Sequence, residues 1–189
     1  MEGKAIIFSA PSGAGKTTIV HSLLDRIPSL RFSISATTRK KRPTEIDGRD
    51  YYFLSLDEFK SKQNSGELLE WEEVYADTYY GTLKSEVERI WSEGNHVVFD
   101  VDVKGGKKLK QIFGDKALSI FVKVKSKDVL RDRLKRRNTE SEEALNQRIN
   151  KAAEEMKEEV YFDMAVLNEN LDLAIDEAEH LVKSFIRGE

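Results

Sequence analysis

The chain has 189 residues, of which 39% are apolar and 34% charged, with a formal charge of −3 and no cysteine. That length fits one domain with room for inserted segments and suffices to bury a real core, while the negative charge argues against a general nucleic-acid binder. Disulfides and Cys-ligated zinc are excluded, and an anionic ligand would have to be held by local basic clusters.

Lys4 to Phe8 is a short apolar run that predicts a buried strand. It breaks at Ser9-Ala10-Pro11-Ser12-Gly13-Ala14-Gly15-Lys16-Thr17-Thr18, after which Ile19, Val20, Leu23, Leu24 and Ile27 return at helical spacing. Strand, Gly-rich turn, Gly-Lys-Thr and helix form the context of a phosphate-binding P-loop, which predicts that residues 10–18 hold a nucleotide such as ATP. The turn's N–H groups face an anion, Lys16 reaches the β and γ phosphates, and the Thr17 hydroxyl ligates Mg²⁺. The pattern asks for Gly at position 10, where this chain has Ala10. One methyl limits positive φ there but leaves the nest intact if Gly13 and Gly15 supply the tight conformations. The alternative for this stretch is a flexible Gly/Ser connector.

Pro28-Ser29 closes the first helix, and Leu30 to Ser35 alternates apolar and polar residues as a strand does. A basic stretch from Thr37 to Pro43 follows, then Glu45, the turn signal Asp47-Gly48, and Tyr51 to Leu54. Ser55 and Glu58 make a capping box for a short helix through about Gln63, ended by Gly66. Leu68 to Tyr75 predicts a strand and Asp77 to Thr82 a Tyr-rich turn. Leu83, Val87, Ile90 and Trp91 share a helical face stopped by Gly94.

Val97-Val98-Phe99 then reads as a central parallel strand with Asp100 at its C-terminal end. A helix over 107–113, a strand over 117–124 and a basic helix over 126–137 come next. Thr139 to Glu142 gives a second capping box, opening a helix with Leu145, Ile149, Ala152 and Met156 inward. A short strand at 164–167 and an amphipathic helix from Leu171 to Phe185 close the chain. The fold class is therefore α/β: a parallel core interrupted by a β-rich insertion near residues 35–82. His21, His96 and His180 show no metal-ligand spacing. No charged-then-apolar leader opens the chain and no apolar run approaches ~18 residues, so a cytoplasmic protein without a membrane partner is expected.

Thr37, Thr38-Arg39, Arg42, Glu45, Gly48, Tyr51 and Phe53 stand at the spacing of the guanylate kinase signature, with Thr37 where the strict pattern has Ser. The chain resembles that family there, and again at Leu69-Glu70-Trp71, Tyr79 to Thr82, Asp100 to Asp102, Arg137, Thr139-Glu140, Arg148 and Asn168. The resemblance implies a P-loop NTPase-type sheet flanked by helices (1–34, 83–124 and 159–189), a GMP-binding subdomain over 35–82 and a helical lid over 125–158. It implies Mg²⁺-dependent transfer of a phosphoryl group from ATP to GMP, and by extension to dGMP, by a monomer or homodimer with no nucleic-acid partner.

Arg39, Arg42, Tyr51 and Tyr80 suit a monophosphate, since forked donors and hydroxyls neutralise two charges in fixed geometry. The four basic residues Arg39 to Arg42 alone would favour a solvated loop or a nuclear-localisation patch. By resemblance, Glu70 with Ser35, Gly81 and Thr82 reads the base, Glu45 joins the GMP site, Asn168 contacts ATP, and Arg137 and Arg148 reach the transferring group. Without the resemblance, Glu70 would pass for an outward strand residue beside Glu72 and Glu73. Asp100 holds Mg²⁺ through water or orients the monophosphate, the alternative being a helix N-cap; Asp102 is the weaker choice. The rivals are a kinase for AMP, UMP or dTMP, and a family-like interaction module without turnover. The intact Gly13, Gly15, Lys16 and Thr17 speak against the module.

Overall fold

A computed structural model describes residues 3–136 and 142–189. Five parallel strands form the main sheet: β1 (Ala5–Ser9), β2 (Leu30–Phe32), β7 (His96–Asp100), β8 (Ala117–Lys123) and β9 (Met164–Leu167), in the order β2-β7-β1-β8-β9. β1 is central and every residue in it is buried. Ile6 and Phe8 face α1 (Lys16–Arg26) and α7 (Leu171–Arg187), while Ala5 and Ile7 face α3 (Lys84–Ser92) and α4 (Val103–Phe113). Alternate side chains thus enter two separate apolar layers, which is why the run reads as continuously hydrophobic.

A second, four-stranded sheet holds β3 (Ala36–Thr37), β4 (Tyr52–Phe53), β5 (Leu68–Tyr75) and β6 (Thr78–Leu83) in the order β4-β3-β6-β5. α2 (Leu56–Asn64) closes it over Phe59, Leu68 and Leu83, with the Ser55/Glu58 capping box formed. α5 (Lys127–Arg136), α6 (Glu142–Glu155) and a 3-10 turn at Met156–Tyr161 lie between β8 and β9.

Three expectations change. The predicted strand over 30–35 is cut short: only Leu30–Phe32 is strand, paired with β7, and the chain then enters the other sheet just beyond the expected end, where Ala36–Thr37 pairs with β4 and β6. The expected Tyr-rich turn is mostly strand β6, antiparallel to β5, and the reversal is confined to Ala76-Asp77, with Asp77 at φ 57. Thr and Tyr favour a pleated surface, and their cross-strand partners outweigh the turn signal. Helix α4 starts four residues before the expected 107, because Gly105 and Gly106 weaken the sequence signal while packing requires them. A Cβ on Gly106 would lie 2.2 Å from Ser9 Oγ. Arg137 and the capping-box residues Thr139 to Ser141 lie outside the described residues.

Candidate active site

Sheet order creates the site. The chain leaves β1 for β2, which lies beyond β7, and later passes from β7 over β1 to β8, so a crevice opens at the C-terminal ends of β1 and β7. In register, Phe8 stands beside Asp100, which puts the P-loop after β1 against the carboxylate that ends β7. Lys16 Nζ lies 2.7 Å from Asp100 Oδ1 and also donates to the Val101 carbonyl. Gly13 and Gly15 have φ values of 90 and 92, whereas Ala10 is not among the residues at positive φ. The methyl at position 10 is therefore accommodated, as expected.

The loop is braced from behind. Asn168, 3% exposed, donates from Nδ2 to the Ala14 carbonyl at 2.7 Å. Arg133 donates to the same carbonyl at 3.0 Å and to the Asn168 carbonyl at 2.8 Å. A Cβ on Gly15 would meet Asn168 Nδ2 at 2.4 Å, so the second loop glycine answers to packing as well as to conformation. Arg148 Nη2 reaches Ser12 Oγ at 3.0 Å from α6.

A cavity of about 320 Å³ lies over the loop, lined by Ala10 to Thr17, Asp100 to Asp102, Lys151 and Glu155. Thr17 is exposed on this wall; Thr18 is exposed too but does not line it. Burial pushes the Glu155 carboxyl up, against the pull of Lys151.

The second cavity, about 170 Å³, is lined by Ser35, Tyr51, Glu70, Glu72, Val74, Tyr80, Gly81 and the same Asp100 to Asp102 segment. Glu70 points inward, unlike its neighbour Glu73. It is 8% exposed and accepts from the Thr82 hydroxyl at 2.7 Å. Burial pushes its carboxyl up, and the Thr82 bond opposes the shift. Thr82, at 1% exposure, stands behind Glu70 rather than on the cavity wall. Gly105 in the first turn of α4 leaves room for that carboxylate, since a Cβ there would come within 3.2 Å of Glu70 Oε2.

Arg39 sits beside this cavity. Its guanidinium lies 5.2 Å from the Tyr51 ring centre, donates to Tyr80 Oη at 3.2 Å, and forks onto Glu45 at 2.8 and 2.9 Å. The Arg39 bond and the Arg42 backbone N–H hold the Glu45 carboxyl at about 2, far below its ordinary value. Glu45 therefore faces Arg39 and not the cavity. Arg42 is exposed, as are Lys40 and Lys41. Burial pushes the Tyr51 hydroxyl up.

At the end of β7 the helix N-cap falls to Asp102 and not to Asp100. Asp102 is the N-cap of α4, its Oδ1 accepting from Gly105 N–H at 2.7 Å, and Asp100 is the partner of Lys16. Asp102, the weaker choice in the sequence, lines both cavities as Asp100 does. Arg133, Lys151 and Glu155 were not singled out either. The spacing of Arg133 from Leu130 and Leu134, both buried, would have placed it on the inner face of its helix.

Residues 2–186 match the family model described as guanylate kinase. The guanylate kinase of Salinibacter ruber is 48% identical over 181 residues, covering 96% of both chains. That of Porphyromonas gingivalis is 48% identical over 184 residues, covering 97% of this chain and 98% of its own. Among solved structures, the crystal structure of guanylate kinase from Anaplasma phagocytophilum matches with a TM-score of 0.73 at 26% identity, over 99% of this chain and 86% of that one. With a parallel core, a phosphate loop and a family match along almost its whole length, the chain belongs to the guanylate kinase family.

Proposed function

We infer that the chain transfers a phosphoryl group reversibly from ATP to GMP, giving ADP and GDP. The observation that carries this is the wall shared by the two cavities: Asp100, Val101 and Asp102 line both. A ligand on the P-loop and a ligand against Glu70 would meet there, phosphate to phosphate. That alignment, with water excluded, is what phosphoryl transfer needs, and no covalent enzyme intermediate is required.

The P-loop, residues 10–18, would seat the ATP phosphates, with Lys16 passing from Asp100 to phosphate oxygens. Arg39 and Arg42, with Tyr51 and Tyr80, would grip the GMP phosphate, Arg39 already being held in place by Glu45 and the Tyr51 ring. Guanine offers two donors on one edge, N1–H and the 2-amino group, and Glu70 accepts both. Adenine offers an acceptor and a C–H there, leaving a buried carboxylate unpaired; such sites can reject the analogue by ~10⁴-fold. Ser35 would meet O6, Gly81 would form the floor, and Thr82 would act through Glu70. By extension of the same reading, dGMP is expected as a substrate.

Mg²⁺ is usually held by one or two protein oxygens plus substrate phosphates. The donor set suits that habit: the Thr17 hydroxyl and the Asp100 carboxylate line one cavity. When bound there, Mg²⁺ would neutralise charge between the terminal phosphates. Arg148, already at the loop through Ser12, and Arg137 would stabilise the transferring group. The segments 35–82 and 125–158 would close as GMP-binding subdomain and lid over the core, the Asn168 side remaining fixed behind the ATP loop. All these groups come from one chain, so monomer and homodimer serve equally. No helix among the described residues is long and apolar enough to cross a membrane; a cytoplasmic location is proposed on the cysteine-free composition.

ADP release with ATP and Mg²⁺ fixed, and GMP, AMP, UMP or dTMP varied, tests the assignment. Turnover with GMP alone is expected. Equal use of another monophosphate, or none with GMP, would overturn it.

A further inference from the structure

A second buried carboxylate lies outside the site. Glu86, in the first turn of α3, is 2% exposed and lines neither cavity. Its Oε1 accepts from Ile34 N–H at 3.2 Å and Arg89 Nη2 at 3.0 Å; its Oε2 accepts from the Tyr52 hydroxyl at 2.9 Å and Arg89 Nε at 3.2 Å. The two crossings between the sheets meet at this carboxylate. Ser33 N–H still bonds Val98 in β7, and the Ser35 carbonyl already accepts from Tyr52 N–H in β4. Ile34 lies between them, and its N–H goes to Glu86. The return crossing is at Leu83–Lys84, where β6 ends and α3 begins.

Tyr52 extends the connection. Side chains alternate along a strand, so the neighbours of Tyr52, Tyr51 and Phe53, point the other way. Those two rings carry the Arg39 guanidinium, at 5.2 and 5.6 Å. One strand therefore has Glu86 on one face and the arginine cluster on the other.

We propose that Glu86 is the pivot pin between the two sheets, a positioning residue that fixes where Arg39, Tyr51 and Tyr80 stand relative to the P-loop. The partners of Glu86 are all donating, and only an acceptor-only group satisfies them from both oxygens. Glutamine keeps the shape but turns an N–H₂ toward one of these donors. The consequence for GMP rests on the kinase assignment; the geometric consequence does not.

Because the chain has no cysteine, labels attach only at introduced sites. Asp25→Cys on α1 and Lys60→Cys on α2 are both exposed, one on each side of the pivot. The inter-label distance distribution would be recorded without ligand and with GMP, for the parent, Glu86→Gln and Tyr52→Phe. Glu86→Gln should broaden the ligand-free distribution and raise KM for GMP about five- to tenfold, with KM for ATP changed less than about twofold. Tyr52→Phe should act in the same direction but less, and the double variant should fall short of the product of the two. Tyr52→Phe by itself also decides the matter should Glu86→Gln not fold. An unchanged distribution with unchanged KM for GMP, or both KM values rising together with a lowered Tm, overturns the pin. A parent protein that ignores GMP would instead sink the kinase assignment, while the distances would still decide the pivot.

Discussion

Glu70→Gln is the sharpest perturbation of base recognition. Glu70 is 8% exposed with Thr82 as its hydrogen-bonded partner, and burial pushes its carboxyl up. A carboxylate with a raised folded-state pKa opposes folding above that pKa, and the penalty is relieved as pH falls toward the unfolded value. Removing the charge should therefore leave thermal stability unchanged or raised. With GMP bound the balance reverses. A carboxylate takes both guanine donors, whereas glutamine accepts one and opposes the other with its own N–H. One lost charge-assisted bond and one donor left unpaired come to about 3–4 kcal/mol, or ~10²–10³-fold in kcat/KM for GMP. A coupled ADP assay at saturating ATP with GMP varied, alongside a melting curve, reads both effects. KM for ATP should stay within about threefold. GMP use surviving intact, or equal losses for ATP and GMP, would refute the argument.

The same carboxyl sets a pH dependence. Protonated, Glu70 presents a donor where guanine needs an acceptor, so KM for GMP should climb as pH falls through its raised pKa. The ratio to Glu70→Gln isolates this from the titration of the GMP phosphate near ~6. Lys16→Ala should lower kcat by ~10²–10³-fold while GMP binding by calorimetry stays within about fivefold, because the lysine contacts the loop side of the shared wall. A small loss would show that Lys16 does not meet the phosphates. Gly15→Ala forces a side chain into φ 92 and against Asn168, so about 2–3 kcal/mol of stability should go, lowering Tm by ~5–10 °C. A melting curve identical to the parent would contradict the brace behind the loop.

Local chemistry was legible in consecutive residues. Residues 4 to 24 announced strand, loop and helix because each step depends on its own neighbours: an apolar run, glycines that tolerate positive φ, then a helical period. The capping box at Ser55 and the amphipathic face of α7 belong to the same class. Where a segment's fate depends on what it meets, the sequence was ambiguous. Asp77 to Thr82 looked like a turn until β5 was beside it, and Leu30 to Ser35 looked like one strand, although Ser33 bonds one sheet and Ser35 the other. Glu70 was indistinguishable from Glu72 and Glu73 by pattern, and family resemblance alone singled it out.

By itself, the sequence determined that a phosphate loop would form, that a parallel α/β core would carry it, and that basic and tyrosine side chains would cluster in an inserted β-rich stretch. The tertiary structure decided which partners those groups have: Asp100 with Lys16, Asp102 on α4, Glu45 on Arg39, Asn168 and Arg133 behind the loop, and Glu86 between the sheets. Backbone conformation is set within a few residues, so it can be read along the chain. A side chain's partner, 154 residues away in the case of the Asn168 loop brace, is chosen by sheet order and helix packing, which no local pattern encodes.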